Sequence, residues 1–292
     1  MYNWQEALFM EELINAYNQT LFKVNGFQKP ITVGCNSIEA DNFLQKTTIK
    51  SWAYITAFNP LSVIFSDADN KNRNSLLKES IREYVYEEGT GVDVEEKWPG
   101  EKSFFVAGIT KEKAISLAWK FGQRAIVFGH LKKPAELLIT IHSEGNNEII
   151  RHQKTTFLCS RKVSANVVLK CYDWAIEQRE TGKCVISGFH SQLEKDVLHY
   201  LLKGEQPIIV VLARGLKQGI EPELQEAFDK GRLLFITPFG QNMKRVTEKT
   251  ASLRNEMMME IADDVVVGFA REGGKLKELI SHNTKPLKRL TD

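Results

Sequence analysis

From residue 150 onward, short apolar runs alternate with stretches of helical periodicity. Five runs, at 155–159, 184–186, 207–213, 233–237 and 265–270, are continuous and largely β-branched. That character predicts strands buried on both faces. Between them, Val167, Val168, Cys171, Trp174, Ala175 and Ile176 form one helical stripe, and Leu193, Val197, Leu198, Leu201 and Leu202 form another. A third helix is predicted over 247–262, with Leu253, Met257, Met258 and Ile261 inward, and a short one over 275–280. Ser164 suits an N-cap and Pro222 a first-turn position. Strand and helix alternating through right-handed crossovers predict a Rossmann-like, doubly wound parallel sheet.

The first half has a different pattern. Residues 1–20 read as an amphipathic helix with Leu8, Phe9, Leu13, Ile14 and Tyr17 inward. Strands are predicted at 31–33, 52–58, 104–107, 125–128 and 137–139. One helix is predicted over 70–86, with Leu76, Leu77, Ile81 and Tyr84 inward and Gly89-Thr90-Gly91 as its end; another runs from a Thr110 cap to Gly122. Irregular connections between these strands predict an α+β domain with a mixed or antiparallel sheet. The expected division is 1–147 and 148–292.

A length of 292 residues with 42% hydrophobic and 26% charged residues supports two such cores and excludes a disordered or collagen-like chain. No apolar run is long enough for a membrane span. The N-terminus shows no basic segment followed by an apolar run, and the four cysteines have no short paired spacing. A cytoplasmic protein with reduced thiols is therefore expected. The net charge of +2 hides an asymmetry: residues 1–145 carry 16 basic and 18 acidic side chains (−2), and the remainder carries 23 and 19 (+4).

In open parallel sheets, ligands sit beyond the carboxyl ends of the strands. The residues following the predicted strands are Ser160-Arg161-Lys162, Ser187-Gly188-Phe189-His190-Ser191, Arg214-Gly215, Pro238 through Arg245, and Arg271 through Lys275, with Gly273-Gly274 among them. Taken singly, each reads as an ordinary turn. Together they bring glycines, hydroxyls and cations to one edge, which predicts an anion site, most simply for phosphate. Arg254 and Asn255 fall inside a helix, where pattern alone reads them as a solvated face.

The ordered series Ser160-Arg161-Lys162, Ser187-Gly188, Glu194-Lys195-Asp196, Ala213-Arg214-Gly215, Arg254-Asn255 and Gly273-Gly274-Lys275 resembles the DNA-processing protein A family (DprA/Smf). That family shares a superfamily with the "lonely guy" phosphoribohydrolases and with nucleotide-sensing domains of anti-phage systems. The segment Gly188–Ser191 matches a compact branch reading Gly-Phe-His-Ser. The resemblance implies a Rossmann-like core, a tendency to form a homodimer, and a nucleotide-derived small molecule or single-stranded DNA as partner. It also implies that the Ser-Gly loop, the Arg-Asn pair and the late Gly-Gly loop border a phosphate pocket, which gives Arg254 a ligand role. Leu276 and Lys277 stand where the phosphoribohydrolases have glycine and threonine, and an apolar residue stands where they have their catalytic glutamate. Neither the winged-helix tail nor the N-terminal helical domain of full DNA-processing proteins is recognised.

In the first half, residues 53–60, 70–73, Trp98-Pro99-Gly100-Glu101 with Ser103, and Phe121-Gly122-Gln123 resemble a small bacterial domain of unknown function. Its polar residues Thr56, Asn59, Asn70, Arg73, Glu101, Ser103 and Gln123 are candidates to line one cleft; the more ordinary reading is that Asn59 and Asn70 form turns and Gln123 is a satisfied buried amide.

No dinucleotide fingerprint and no Walker-type loop is present, and the six histidines and four cysteines never fall at metal-ligand spacing. No cofactor or metal is expected. Cys184 is predicted to be an inert buried thiol, and His190 a solvent-facing loop residue. An alternative reading is an enzyme acting on a nucleotide or nucleoside phosphate, by glycosidic or phosphate-ester hydrolysis, with Glu101, Glu194 or Glu272 as its carboxylate.

Overall fold

A computed structural model describes residues 4–46, 48–95, 99–217 and 219–291, with side chains from residue 10 onward. The chain divides into two compact units, Met1–Ile141 and His142–Asp292.

The first unit holds one six-stranded sheet with every pairing antiparallel. Its strands are β1 (Thr20–Val24), β2 (Ser51–Thr56), β3 (Val85–Asp93), β4 (Glu101–Ala107), β5 (Ala125–His130) and β6 (Glu136–Ile139), in the order β1-β3-β4-β2-β5-β6. The helices are α1 (Trp4–Asn18), α2 (Ile38–Gln45), α3 (Asp67–Ser80) and α4 (Lys111–Lys120). Side chains alternate across a strand. Ala53 and Ile55 of β2 accordingly pack with Leu77 of α3 and Leu117 of α4, while Trp52 and Tyr54 pack with Leu44 of α2 on the opposite face. This is the α+β class read from the sequence, in its antiparallel form.

Several local readings of this half are corrected. The helix read over 70–86 ends at Ser80, and Gly89-Thr90-Gly91 lies inside β3, paired with Ser103, Lys102 and Glu101 of β4. Gly89 serves close approach rather than a turn: a β-carbon there would overlap the Lys23 carbonyl oxygen and meet the Tyr54 hydroxyl at 2.7 Å. Leu76 (54% exposed) and Ile14 (39%) face away from the core. Residues 31–33 form only an isolated bridge, from Ile31 to Phe22. Helix α2 has no counterpart in the sequence reading. The side chains of Leu8 and Phe9, and Trp98, lie outside the described residues.

The second unit is a seven-stranded sheet of β7 (His142–Gly145), β8 (Lys154–Leu158), β9 (Cys184–Ser187), β10 (Ile208–Val211), β11 (Leu233–Thr237), β12 (Asp264–Val267) and β13 (Leu287–Arg289). The order is β13-β12-β8-β9-β10-β11-β7. All pairings from β8 to β13 are parallel, and β7 joins β11 antiparallel. The helices are α5 (Ala165–Thr181), α6 (Gln192–Leu202), α7 (Pro222–Asp229), α8 (Glu248–Ile261) and α9 (Lys275–Ser281). The five predicted strands and the helices between them are present, with Pro222 in the first turn of α7 and Thr247 capping α8. Phe157, Val185, Ile208, Val210 and Leu233 meet α5, α6 and α7 on one face, where Phe157 stacks on Trp174 at 4.9 Å. Residues of the other parity, Leu158, Ile186, Ile209 and Val211, are buried as well, as expected for strands covered on both faces.

The division at Ile141/His142 precedes the 147/148 position read from the sequence, because the polar segment His142–Gly145 adds an edge strand to the second sheet. From β8 the chain winds outward to β11, then returns to place β12 on the other side of β8. The winding therefore reverses between β8 and β12.

Candidate functional site

A cavity of about 400 Å³ opens at the carboxyl ends of β9, β10 and β11. The loop after β9 supplies Gly188 and His190, the loop after β10 supplies Arg214 and Lys217, and the segment after β11 supplies Lys244. Lys195 of α6 and Arg254 of α8 complete its charged wall, with Leu198, Leu224 and Phe235 beneath. Five cationic side chains, Lys195, Arg214, Lys217, Lys244 and Arg254, face two carboxylates, Glu144 and Glu221, and Glu221 is already ion-paired with Lys217. The cavity is cationic.

Arg254 is the central residue. Although α8 is a surface-type helix by composition, Arg254 is only 6% exposed, which overturns the solvated-face reading. Its Nε–H donates to Asn255 Oδ1 at 2.8 Å. No hydrogen bond from the described residues reaches its terminal nitrogens. Burial holds the guanidinium below its ordinary pKa, partly offset by the charge of Glu194. A buried guanidinium without full hydrogen bonding is costly and calls for an anionic partner. Gly188 makes room for it: a β-carbon there would overlap the Arg254 guanidinium. The neighbouring Phe189 sits at φ +44°, a left-handed conformation rare outside glycine and common where a loop serves a site.

The remainder of the Ser-Gly loop is internally bonded. Glu194, 5% exposed, accepts the N–H groups of His190 and Ser191, both at 2.9 Å, while Ser191 Oγ accepts the Glu194 N–H at 3.2 Å. This capping box leaves neither of those two amides free for an anion. Ser187 is fully buried, its hydroxyl donating to the Phe157 carbonyl at 2.8 Å across to β8. At the winding reversal, Ser160 Oγ accepts the Arg271 N–H at 3.0 Å and the Ser160 N–H donates to the Phe269 carbonyl, which ties the two loops together. Arg161 and Lys162 are exposed. Lys275 pairs with Glu248 at 2.9 Å on the surface, and Gly274 caps α9 after Gly273 turns at φ +68°.

Of the residues read as phosphate-binding, the structure thus brings Gly188, His190, Arg214 and Arg254 into one cavity, with Asn255 steadying Arg254. Ser160, Arg161, Lys162, Ser187, Ser191, Gly273, Gly274 and Lys275 do not line it. The sequence reading missed Lys217, because the long loop after β10 has no periodicity to mark it. His190 is exposed, as read, and its pKa is lowered by partial burial and then by Arg254, with Arg161 and Lys195 adding to that. Cys184 is 2% exposed and burial pushes its thiol up to about 12, in keeping with an inert residue. All four cysteines are free, Cys35 on the surface.

In the first unit, Thr56, Asn59, Glu101, Ser103 and Gln123 line a second cavity. Asn70 and Arg73 stand behind it. Asn70 holds Asn59, and Arg73 donates to the carbonyls of Ala57 (3.1 Å) and Phe121 (2.8 Å). Among the described residues no helix is long and apolar enough to cross a membrane, and no group of three or more His, Cys, Asp or Glu gathers as a metal site.

Residues 55–126 match the profile of a family described as a protein of unknown function (DUF3293), in keeping with the uncharacterised domain read from the sequence. No curated protein matches the chain in sequence. Among solved structures, the chain is similar to DNA processing protein A from Helicobacter pylori, described for its single-stranded DNA binding mode. The identity is 17% over 55% of this chain and 74% of that one, with a TM-score of 0.44. DNA processing protein A from Streptococcus pneumoniae aligns at 12% identity over 78% and 72%, also at 0.44. A Moco carrier protein from Chlamydomonas reinhardtii aligns at 10% identity over 48% and 89%, at 0.30. The assignment of the second unit as a Rossmann-like sheet rests on its own strand order and pairing.

Proposed function

We propose that the second unit binds a phosphate-bearing ligand, a nucleotide-derived molecule or single-stranded DNA, in the cavity at the carboxyl edge of its sheet. The observation that carries this reading is Arg254: a guanidinium 6% exposed, seated on Gly188, whose terminal nitrogens have no hydrogen-bond partner among the described residues of a cationic cavity. A phosphate supplies the paired acceptors that a guanidinium fork requires. Arg214 and His190 stand at the same cavity to share its charge, and Lys195, Lys217 and Lys244 draw the anion in.

A cavity of about 400 Å³ is the size of a small-molecule site, which favours a mononucleotide-sized ligand. The motif resemblance favours single-stranded DNA in DNA processing. The two differ in salt dependence, since contacts to several phosphates release several counterions. Titrating the intact protein with nucleoside monophosphates and with an oligothymidylate, across salt, tests both. Binding of the mononucleotide with a shallow salt slope supports the first, and binding of the oligomer alone with a steep slope supports the second. Binding of neither at about 1 mM, a weak affinity for either class, refutes the reading.

The hydrolytic alternative draws no support from its three candidate carboxylates. Glu194 is engaged by its own loop, Glu272 is exposed and paired with Lys277, and Glu101 is hydrogen-bonded by Asn59 in the cavity of the first unit. The homodimer implied by the resemblance is part of this proposal, and light scattering of the purified protein tests it.

A further inference from the structure

The first unit holds a cavity of about 370 Å³ walled by α1, β1, β2, the loop before α3, and the residues flanking β4 and β5. Its loop is strained. Asn59 (φ +46°), Leu61 (φ +51°) and Ser62 (φ +61°) are all non-glycine residues in the left-handed region. Such conformations persist when their surroundings over-determine them. Here the Asn59 N–H donates to Asn70 Oδ1 at 2.9 Å, and Asn59 Oδ1 accepts from Phe65 N–H and Asn70 Nδ2, both at 3.0 Å. The Leu61 N–H donates to the Gly122 carbonyl at 2.8 Å. What this scaffold delivers is Asn59 Nδ2, which donates to Glu101 Oε1 at 2.7 Å in the cavity wall.

Two acceptors are left facing the cavity. Glu101 Oε2 receives no hydrogen bond from the described residues. Gln123, 5% exposed, donates through Nε2 to the Phe58 carbonyl at 2.7 Å, and no hydrogen bond from the described residues reaches its Oε1. Glu101 and Gln123 both line the cavity, where a ligand's N–H groups can reach these oxygens. The walls around them are flat and apolar, formed by Phe22, Tyr54 and Phe58, and Ile64 stands 83% exposed at the rim. Arg124, 4% exposed, belongs to the same lining, and Tyr17 feels the opposing charges of Glu101 and Arg124. One acid and one base leave the cavity with no net charge, which favours a neutral ligand over a simple cation or anion.

We infer that this cavity binds a neutral, amino-substituted heteroaromatic ring presenting adjacent N–H donors, the edge that guanine carries, with Glu101 and Gln123 as its acceptors. Two donors meet two acceptors, and the ring lies against the aromatic side chains of the lining. The site lies wholly within the first unit and requires no phosphate, so it stands independently of the proposed anion site in the second.

Guanosine, which has no phosphate, is the probe, with inosine, benzylamine and benzoate as comparisons in calorimetric titrations of the full chain. Guanosine is expected to bind. Inosine, lacking the amino group, is expected to bind about 10- to 100-fold more weakly, as is guanosine to the Glu101→Gln protein, which loses a hydrogen bond to a charged group. Arg254→Gln should leave guanosine binding unchanged. If Glu101→Gln does not fold, Leu13→Trp, which places an indole from α1 into the cavity, makes the same test. No guanosine binding, equal binding of inosine, preference for benzylamine or benzoate, or guanosine binding unaffected by the folded variant would each overturn the inference.

Discussion

Gly188 and Arg254 are understood only as a pair. The guanidinium occupies the space where any other residue at 188 would place its β-carbon. Gly188→Ala must therefore displace the Arg254 guanidinium or shift the loop. Titration should show weaker binding of the anion, with a smaller change in urea unfolding because a side-chain terminus can give way. His190 reports on the same point. In the free protein its protonated form is disfavoured by burial first and by Arg254 next. The native state thus binds fewer protons than the unfolded chain, so the residue contributes stability that is present above the unfolded histidine pKa of about 6.5 and fades as pH falls through the lower native value. An anion seated beside Arg254 should raise the His190 pKa, and binding of a phosphodiester, whose own charge is constant, should tighten as pH falls into that range. A ring NMR titration checks this; a midpoint unmoved by ligand would place the anion elsewhere.

At the scale of elements, the loop after β9 is held by the first turn of α6. Glu194→Ala would leave the N–H groups of His190 and Ser191 without their acceptor, and loss of a helix cap costs about 0.5–2 kcal/mol. A lowered melting temperature with faster amide exchange at those two residues is the expected result. The strands of the second sheet were legible because burial on both faces writes continuous apolar runs. The edge strands β7 and β13 were not, because sequences such as His142-Ser-Glu-Gly145 have no apolar face to signal. In the first half, the glycines of β3 resembled a turn because glycine in a strand interior is uncommon, and the close approach of the Lys23 carbonyl and the Tyr54 ring explains Gly89. The site was legible in part: loops after strands marked Gly188, His190 and Arg214. Arg254 was marked by motif resemblance alone, since helical pattern cannot distinguish a buried cation from a solvated one. Hydrogen bonds internal to the loops removed Ser160, Ser187 and Ser191 from the cavity, and no spacing rule anticipates that.

At the scale of the whole molecule, two units with separate sheets and cores share one chain. A fragment covering 142–292 keeps β7 on the edge of β11, whereas one beginning at 148 leaves that edge open. Open edges invite intermolecular pairing. The longer fragment should be soluble with a cooperative melt, and the shorter should aggregate on heating, as light scattering would show. The central claim concerns what Arg254 does for the second unit. A buried cation with so few hydrogen bonds contributes little to folding, which leaves binding as its role in this account. The most direct measurement is titration of native and Arg254→Gln proteins with the same phosphate ligand, alongside their melting temperatures. Affinity is predicted to fall about 10- to 100-fold, the loss of a charged hydrogen-bonding partner, while the melting temperature holds or rises. Equal affinities, or a loss of binding explained by a matching loss of stability, would contradict the assignment.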